Sequence, residues 1–478
     1  MAIKAGGWSI LGSFFDKALM LSTYVVVSRS ADPEYFGYAV GVLLFIELLT
    51  YIGGFGVAEN IIRKDDVDHD FLSESFIFLR RIAAVCVVFM LVVATPLSYF
   101  LVDVELAKLV LVISFYPLLT IFSGFYVSIL QRRMQFKQVA FRTIIISFVG
   151  GSFGLGLALT GWGVLSLFIA KYVYSILDIF LLRKLTGFSP TGRLEGVEYK
   201  SFVSYGWKIS VAQVFNFFNS RIYEVFVAII FGPAALAVFD IGRKFLMTLY
   251  RIILTPLNRV VLSFVSRSDN KIQSYTSLVS IASAIVIPVV AIMSAMSDDL
   301  VFLFFGSEWS ESVVVMEALS YAAIVQMVAW FLPSLLISKG HSSSVLITQI
   351  LSFLIQLLFA VAGYWFAYGF ADYVYLLVFS IYLSVFARLF YLHYFLNIPV
   401  ASLILVVVLN SVLFFVAKEY CKLVLLWLDL YPALSESIIL KVLSLLGVGV
   451  SALVMLIPYY YVVYVRYKKL NVAYKGVA

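Results

Sequence analysis

Long hydrophobic runs, separated by short polar segments, fill almost the whole chain. A helix that crosses a bilayer needs about 20 consecutive, mainly apolar residues. About fourteen stretches meet this requirement. They are residues 9–28, 35–58, 77–101, 107–130, 143–160, 163–182, 205–231, 234–263, 275–297, 312–338, 343–368, 371–396, 399–417 and 437–465. We therefore predict an all-α, polytopic membrane protein whose loops are too short to form a large soluble domain.

Composition agrees with a lipid environment. Of the 478 residues, 63% are hydrophobic and only 13% are charged, which is too little polar material to cover a soluble protein. The net charge of +7 is explained by basic cytoplasmic loops, so it does not indicate nucleic-acid binding. The cysteines Cys86 and Cys421 lie in or near different spans and the histidines are scattered, so we predict neither a disulfide nor a metal site.

Basic residues alternate between the two sides of the predicted bundle. If the N-terminus is cytoplasmic, the cytoplasmic loops hold most of the lysines and arginines. The opposite side carries only Arg29, Lys108, Lys418 and Lys422. By the positive-inside rule, we predict that both termini are cytoplasmic.

The start of the chain recurs about 200 residues later. Gly7-Trp8 matches Gly206-Trp207, Pro33 matches Pro233, Gly41 matches Gly242, and the polar pair Ser13 and Asp16 matches Gln213 and Asn216. An even number of spans separates the copies, so we predict a parallel repeat. The predicted organisation is an N-terminal lobe (1–185), a cytoplasmic linker (186–204), a C-terminal lobe (205–397) and two extra spans with a tail (398–478).

Charged and amide residues inside the predicted spans are the strongest functional signal. A charge at bilayer depth costs about 2.5–3.5 kcal/mol on insertion scales, so such residues usually face a hydrated interior. The candidates for an anion-binding cavity are Lys17, Gln213, Asn216, Arg221, Arg243, Lys244 and Arg251. The carboxylates that could couple transport to an ion are Asp16, Glu47, Glu224 and Asp240.

Two interpretations of these residues stay open. In the first, spans one, two, seven and eight wall a hydrated cavity between the lobes, whose excess positive charge holds phosphate or another anion. Arginine suits phosphate because it forms paired hydrogen bonds. In the second, the charges pair with one another and lock the helices together. Arg221 can pair with Glu224 at i,i+3, and Asp240 can offset one cation of span eight.

Other polar and small residues are predicted to be structural. Lys171 and Asp178 share one face of span six and are expected to form a pair. Span five carries a small-residue face, which is expected to permit close helix packing. Its members are Gly150, Gly151, Gly154 and Gly156.

Several loop sequences together resemble one known family. The segment 304–309, Phe-Phe-Gly-Ser-Glu-Trp, is similar to the FG-x-x-W element of bacterial polysaccharide exporters. The segment 52–73 resembles the loop after their second span, and Tyr205-Gly206-Trp207 and the stretch 231–243 are also similar. The chain resembles the polysaccharide transporter branch, of the O-antigen flippase (Wzx) type, of the multidrug/oligosaccharidyl-lipid/polysaccharide (MOP) superfamily. The resemblance covers most of residues 1–400.

The resemblance implies two six-helix lobes in a V shape, in the inner membrane of a bacterium. It implies a flippase that moves a polyprenyl-pyrophosphate-linked oligosaccharide from the cytoplasmic to the periplasmic leaflet by alternating access. Its partners would be the lipid-linked substrate, membrane lipids, a polysaccharide polymerase and a chain-length regulator. No bound cofactor is expected, and coupling to H⁺, Na⁺ or the membrane potential stays open. Related lipid II flippases carry two extra C-terminal helices, as predicted here.

Two alternatives are weighed against this function. A multidrug exporter of the same superfamily moves organic cations, for which an acidic cavity would be expected. A membrane-embedded polysaccharide polymerase or ligase commonly needs a large external loop with catalytic Arg or His, and the outward loops here are short. We therefore predict a transporter without catalytic residues.

Overall fold

The computed structural model describes residues 18–429, except 65–66, 191–198, 267, 269 and 368, and also residue 447. At some positions inside the described helices, Arg251 among them, the backbone alone is described. Within these residues the regular elements are helical and no strand occurs. The prediction of an all-α protein is confirmed.

Short connections join the helices. They are α1 (18–30), α2 (Pro33–Gly54), α3 (Val57–Arg63), α4 (His69–Phe89), α5 (Thr95–Leu101), α6 (Val104–Ile113), α7 (Tyr116–Arg132), α8 (Phe136–Leu159), α9 (Leu165–Thr186), α10 (Tyr199–Ser266), α11 (Lys271–Ala295), α12 (Ser297–Phe304), α13 (Ser312–Trp330), α14 (Leu332–Ser338), α15 (Ser342–Phe366), α16 (Phe370–Leu396) and α17 (Ala401–Asp429). A π-helical turn, Met90–Ala94, joins α4 to α5, and a 3-10 turn, Ser307–Trp309, precedes α13.

Eleven helical stretches of the described residues are long and apolar enough to cross a membrane. They account for the predicted second to thirteenth spans, because Phe202–Tyr250 contains parts of both the seventh and the eighth. The predicted first span is described only from residue 18, and the fourteenth, 437–465, lies outside the described residues apart from 447. The polytopic architecture is confirmed, and the count of fourteen stays a prediction.

Proline and its neighbours define where α2 begins. Asp32 precedes the helix, and its Oδ2 accepts hydrogen bonds from the backbone N–H groups of Glu34 (3.0 Å) and Tyr35 (3.2 Å). Pro33 takes the first helical position, where its missing N–H would have no intrahelical partner. The polar cap and the proline together fix the start of the span.

Gly232 interrupts α10 immediately before Pro233. Its φ of 84° and ψ of −176° lie in a region that is essentially restricted to glycine. The break separates the segments predicted as spans seven and eight. Pro233 therefore follows the seventh span as Pro33 follows the first, in agreement with the predicted repeat. The repeat itself stays a prediction, because residues 7–16 of its first copy lie outside the described residues.

Glycines bring α8 close to α9. A Cβ built on Gly154 would lie 2.6 Å from the Cβ of Ala170, and one on Gly150 would lie 3.1 Å from the Cβ of Tyr174. Larger residues would force the two helices apart. The predicted packing role is confirmed for these two glycines, whereas a Cβ on Gly156 would meet nothing within 4 Å.

Asp178 forms a buried ion pair, but not with the predicted partner. Its Oδ1 lies 2.5 Å from Nε of Arg142, and Ser123 Oγ donates to its Oδ2 at 2.5 Å. Lys171 instead lies over the Tyr116 ring, 5.6 Å from its centroid. The predicted Lys171–Asp178 pair is wrong because helical spacing cannot reveal an arginine on a neighbouring helix. The observed pair ties α7, α8 and α9 together.

Lys418 lies inside α17, which is longer than the predicted span 399–417. Its side chain is 2% exposed, and its Nζ lies 2.5 Å from Oε1 of Glu317 and 2.7 Å from the hydroxyl oxygen of Tyr321. Its placement in a loop is therefore wrong. A buried ammonium persists in a helical span when a carboxylate compensates it, and here the carboxylate comes from α13.

The FG-x-x-W element forms a tight turn between α12 and α13. Gly306 adopts a φ of 99°, which other residues rarely reach, and its N–H donates to the carbonyl oxygens of Val301 (3.2 Å) and Phe302 (3.1 Å). Phe305 and Trp309 are both buried. The element is thus explained by local folding: glycine makes the turn and the aromatic rings anchor it.

The chain divides into two compact units, Met1–Ala237 and Val238–Ala478. The predicted lobes and linker stay a prediction.

Candidate functional site

In the first unit, α2 runs antiparallel to the first part of α10. A Cβ built on Gly37 would lie 1.8 Å from the carbonyl oxygen of Pro233, so glycine permits this close approach. Further along α2, the rings of Tyr51 and Phe217 lie 6.3 Å apart between centroids. Residue numbers rise along α2 while they fall along α10, which establishes the antiparallel direction. We call this contact the α2–α10 seam.

Arg221 lies within the α2–α10 seam and bridges two carboxylates. Its Nη2 lies 2.9 Å from Oε2 of Glu47 on α2, and its Nη1 lies 3.0 Å from Oε1 of Glu224 on its own helix. The predicted i,i+3 pair with Glu224 is confirmed. Glu47, predicted only as a candidate for ion coupling, is a direct partner of Arg221.

Burial differs sharply among these three groups. The Glu224 side chain is 1% exposed, that of Arg221 is 17% exposed and that of Glu47 is 34% exposed. Arg221 precedes Gly232 by eleven residues, which is about 16 Å of helix. The guanidinium therefore lies well inside a spanning segment, where an uncompensated charge would be costly. In this conformation both carboxylates compensate it.

Polar side chains continue along α10 beside Arg221. Nε2 of Gln213 donates to Oε1 of Glu59 at 2.8 Å, while Asn216 and Ser220 are exposed. Glu224, further along the same helix, is buried. An amide and a hydroxyl exposed on a spanning helix are unfavourable in lipid, so this side of α10 favours water or a polar ligand.

In the second unit, α10 carries another ion pair. Nζ of Lys244 lies 3.3 Å from Oδ2 of Asp240, four residues earlier. The predicted compensation of one cation by Asp240 is confirmed. Arg243 is half-buried and is not free either. The cations described here are thus engaged within the protein, as the second of the two interpretations expects.

Three predicted site groups lie outside the described residues. They are Lys17, Asp16 and the side chain of Arg251. Their roles stay predictions. Among the described residues, no group of three or more His, Cys, Asp or Glu side chains could hold a metal ion.

Sequence reasoning did not find which residues meet across helices. The partners Glu47–Arg221 and Glu59–Gln213 are separated by 174 and 154 residues. One signal was available: Glu47 is the only charged residue between Glu34 and Glu59, so an intramembrane arginine is a natural counter-ion. The identity of that arginine could not be read from spacing.

Comparison with known proteins gives the family. Residues 26–314 match the family described as polysaccharide biosynthesis protein, which is more than half of the chain. The chain belongs to this family. The predicted resemblance to proteins of bacterial polysaccharide synthesis is confirmed, and the family match includes the whole α2–α10 seam.

Named relatives of this polysaccharide biosynthesis protein support the same conclusion. The chain is 22% identical over 336 residues to the succinoglycan biosynthesis transport protein ExoT of Rhizobium meliloti, which covers 69% of this chain and 68% of that protein. It is 20% identical over 356 residues to the lipopolysaccharide biosynthesis protein WzxC of Escherichia coli. That match covers 71% of this chain and 70% of WzxC.

Solved structures establish the fold class of this polysaccharide biosynthesis protein. The lipid II flippase MurJ, in an inward closed conformation, matches with a TM-score of 0.67 at 14% identity over 94% of this chain and 98% of that one. An inward-facing multidrug resistance MATE family transporter of the MOP superfamily matches with a TM-score of 0.64 at 15% identity. The match covers 84% of this chain and 96% of that one. The protein is a multi-pass membrane protein with the fold of these transporters, and its relatives are named for transport or polysaccharide synthesis rather than for an enzymatic reaction.

Proposed function

We propose that the chain is a flippase for a polyprenyl-pyrophosphate-linked oligosaccharide, which it moves from the cytoplasmic to the periplasmic leaflet of the bacterial inner membrane. Both termini would be cytoplasmic. The exported repeat unit would then serve the assembly of O-antigen, capsule or exopolysaccharide. A polysaccharide polymerase and a chain-length regulator are the partners that this position in the synthesis requires.

The observation that carries the proposal is the placement of Arg221. It lies inside a spanning segment, partly exposed, beside exposed Asn216 and Ser220. A planar guanidinium recognises phosphate through paired N–H groups, and amides and hydroxyls hydrogen-bond sugar hydroxyls. A diphosphate that carries sugars therefore matches the chemistry of this part of α10.

The proposed mechanism is alternating access. The diphosphate and sugars bind to the basic side chains of spans one, seven and eight, while the polyprenyl tail stays in lipid. The proposed contacts are Lys17, Arg221, Arg243, Lys244 and Arg251, with Gln213 and Asn216. Uptake of H⁺ or Na⁺ by Asp16, Glu47, Glu224 or Asp240, or the membrane potential, would drive the cycle.

Export of drugs is the alternative function. The likeness to multidrug transporters is one of fold at 15% identity, whereas the named relatives by sequence belong to polysaccharide synthesis. A drug-efflux measurement on the same strains separates the two functions.

The test uses a bacterium whose own flippase gene has been deleted and which lacks surface polysaccharide. Production of this chain is expected to restore the polymer when the strain supplies the matching repeat unit. Alanine at Lys17, Arg221, Arg243 or Lys244 is expected to abolish it, with membrane levels checked by immunoblot. Because alanine at 221 leaves Glu224 without its arginine, Arg221→Lys is tested as well. Lysine keeps the charge but not the paired N–H groups, so export should fall without loss of protein.

The matched control is Arg80→Ala, which removes an exposed arginine from α4. It is expected to leave polymer levels unchanged. Normal polymer in all four alanine variants would contradict the assigned binding residues. Drug resistance without any polymer would replace the proposed function by multidrug export.

A further inference from the structure

The guanidinium of Arg221 is already bound to two carboxylates, which carry negatively charged oxygens as the proposed diphosphate ligand does. Nη1 donates to Glu224 at 3.0 Å and Nη2 donates to Glu47 at 2.9 Å, so both terminal nitrogens contact carboxylate oxygens. Paired recognition of a phosphate needs two neighbouring N–H groups of the fork. A diphosphate that forms a paired contact through Nη2 therefore competes with the carboxylate of Glu47 for that nitrogen.

We propose that Glu47 is a built-in competitor at the anion site of Arg221. Its carboxylate occupies Nη2 in the unloaded protein, leaves when the diphosphate of the cargo binds, and returns to expel the cargo. This inference rests on the proposed function, because it specifies how the same arginine accepts and releases its ligand.

Burial and connectivity identify Glu47 as the carboxylate that leaves. Glu224 is 1% exposed and lies one turn from Arg221 on the same helix, so it stays with the arginine when helices move. Glu47 is 34% exposed and comes from α2, 174 residues away. The released Glu47 can be solvated by water, whereas a released Glu224 would be a buried charge without its arginine.

Exchange also keeps the guanidinium compensated at each stage. A charge at this depth is costly when it stands alone. When phosphate replaces Glu47, one anion takes the place of another, and Glu224 remains bound throughout. Simultaneous binding is unfavourable, because Glu47 and the diphosphate would then be two like charges at one nitrogen. Glu47 thus lowers the affinity for cargo and accelerates its release.

Exchange has a mechanical consequence as well. The Glu47–Arg221 pair is a direct polar link between α2 and α10, so cargo binding removes a contact across the α2–α10 seam. Gly37 against Pro233 and Tyr51 against Phe217 still hold the two helices. The seam is expected to loosen at the level of Glu47, while the contacts on either side of it persist.

The experiment measures binding of geranylgeranyl diphosphate to the purified full chain in detergent by isothermal titration calorimetry. Glu47→Gln keeps the shape and a hydrogen-bond acceptor but removes the competing charge. We expect its Kd for the probe to fall about tenfold, which corresponds to about 1.4 kcal/mol. Arg221→Ala is expected to abolish this gain, so that Arg221→Ala with and without Glu47→Gln bind equally. In the polymer assay, Glu47→Gln is expected to export more slowly despite its tighter binding.

Two further variants keep the test decisive. Glu47→Ala removes the acceptor altogether and must shift the Kd in the same direction. Glu34→Gln is the matched control: it makes the same change on α2, at an exposed carboxylate that accepts from the Tyr38 hydroxyl at 3.0 Å. Its Kd should stay within about twofold of the wild-type value, because Glu34 contacts no arginine among the residues that the structure describes.

Each outcome has a defined meaning. Unchanged or weaker binding by both Glu47 variants, with normal wild-type binding, overturns the competitor role and leaves the flippase function standing. Tighter binding that persists without Arg221 overturns the role too, because the competition would not act through that arginine. If neither the wild type nor the Glu47 variants bind the probe, the diphosphate assignment fails and the inference fails with it.

Discussion

Replacement of the buried Lys418 is predicted to have a large effect on stability, although this residue is not part of the proposed binding site. Its Nζ lies 2.5 Å from Glu317 and 2.7 Å from the Tyr321 hydroxyl, and its side chain is 2% exposed. Removing one partner of a buried ion pair costs about 3–5 kcal/mol, because the other charge is left uncompensated. Glu317 is 31% exposed and keeps some solvation. We therefore expect Lys418→Met to lower the free energy of unfolding by the lower end of that range, about 3 kcal/mol.

The double variant tests the cause. Lys418→Met combined with Glu317→Gln removes both charges, and replacement of a whole buried pair is often nearly neutral, so the loss should shrink to about 1 kcal/mol. Unfolding is measured in mixed micelles of increasing SDS fraction, with gel filtration after heating as an independent readout. The matched control is Lys422→Met, one turn further along α17. Its ammonium is exposed and lies 3.9 Å from Glu419, so its loss should stay below about 0.5 kcal/mol.

The single and the double variant together test whether loss of charge compensation causes the loss of stability. A single Lys418→Met variant as stable as the Lys422→Met control would refute the view that this buried charge anchors α17 to α13. A double variant less stable than the single would contradict the charge argument, because it would show that Glu317 stabilises the fold through another contact, such as the one with the Tyr321 hydroxyl at 3.3 Å.

Two further changes probe the first unit. Gly37→Ala places a Cβ 1.8 Å from the carbonyl oxygen of Pro233; we expect a loss of about 1–3 kcal/mol or more in unfolding free energy from overpacking, and reduced export. Gly124→Ala, where a Cβ meets nothing within 4 Å, should be neutral or up to about 1 kcal/mol stabilising, and equal thermal stability of the two variants would contradict the close approach. Arg142→Met leaves the buried carboxylate of Asp178 uncompensated and should cost about 3 kcal/mol, with much of the loss recovered when Asp178→Asn is added. Unfolding in mixed micelles measures all four variants, and a double variant no better than the single would count against the charge argument.

Parts of the candidate site could be predicted from the spacing of residues in the sequence alone. The pairs Arg221–Glu224 and Asp240–Lys244 lie three and four residues apart, so helical geometry places each pair on one face. The spans followed from hydropathy, because lipid requires long apolar helices with internally satisfied backbones. The boundary between spans seven and eight followed from the end of one apolar stretch at residue 231 and the start of the next at residue 234. These predictions are local, and each depends on residues within about one span of one another.

Contacts between residues on different helices could not be predicted from the sequence. Glu47 meets Arg221, Arg142 meets Asp178 and Lys418 meets Glu317 across separate helices. Helical spacing predicted Lys171 as the partner of Asp178, whereas the partner is Arg142. Lys418 was predicted to lie in a loop, because a charged residue ends a predicted span when its counter-ion is unknown.

The sequence by itself determined that this protein is a helical bundle in a membrane, because apolar length and periodicity act within each segment and need no partner. Only the tertiary structure decided which charges neutralise one another, because an ion pair depends on distance in space and the chain brings together residues 174 positions apart. At Arg221 this difference matters most: the sequence predicts one carboxylate partner, Glu224, whereas the structure holds the arginine between two. Ligand exchange, rather than simple attraction, is therefore the chemistry to be tested.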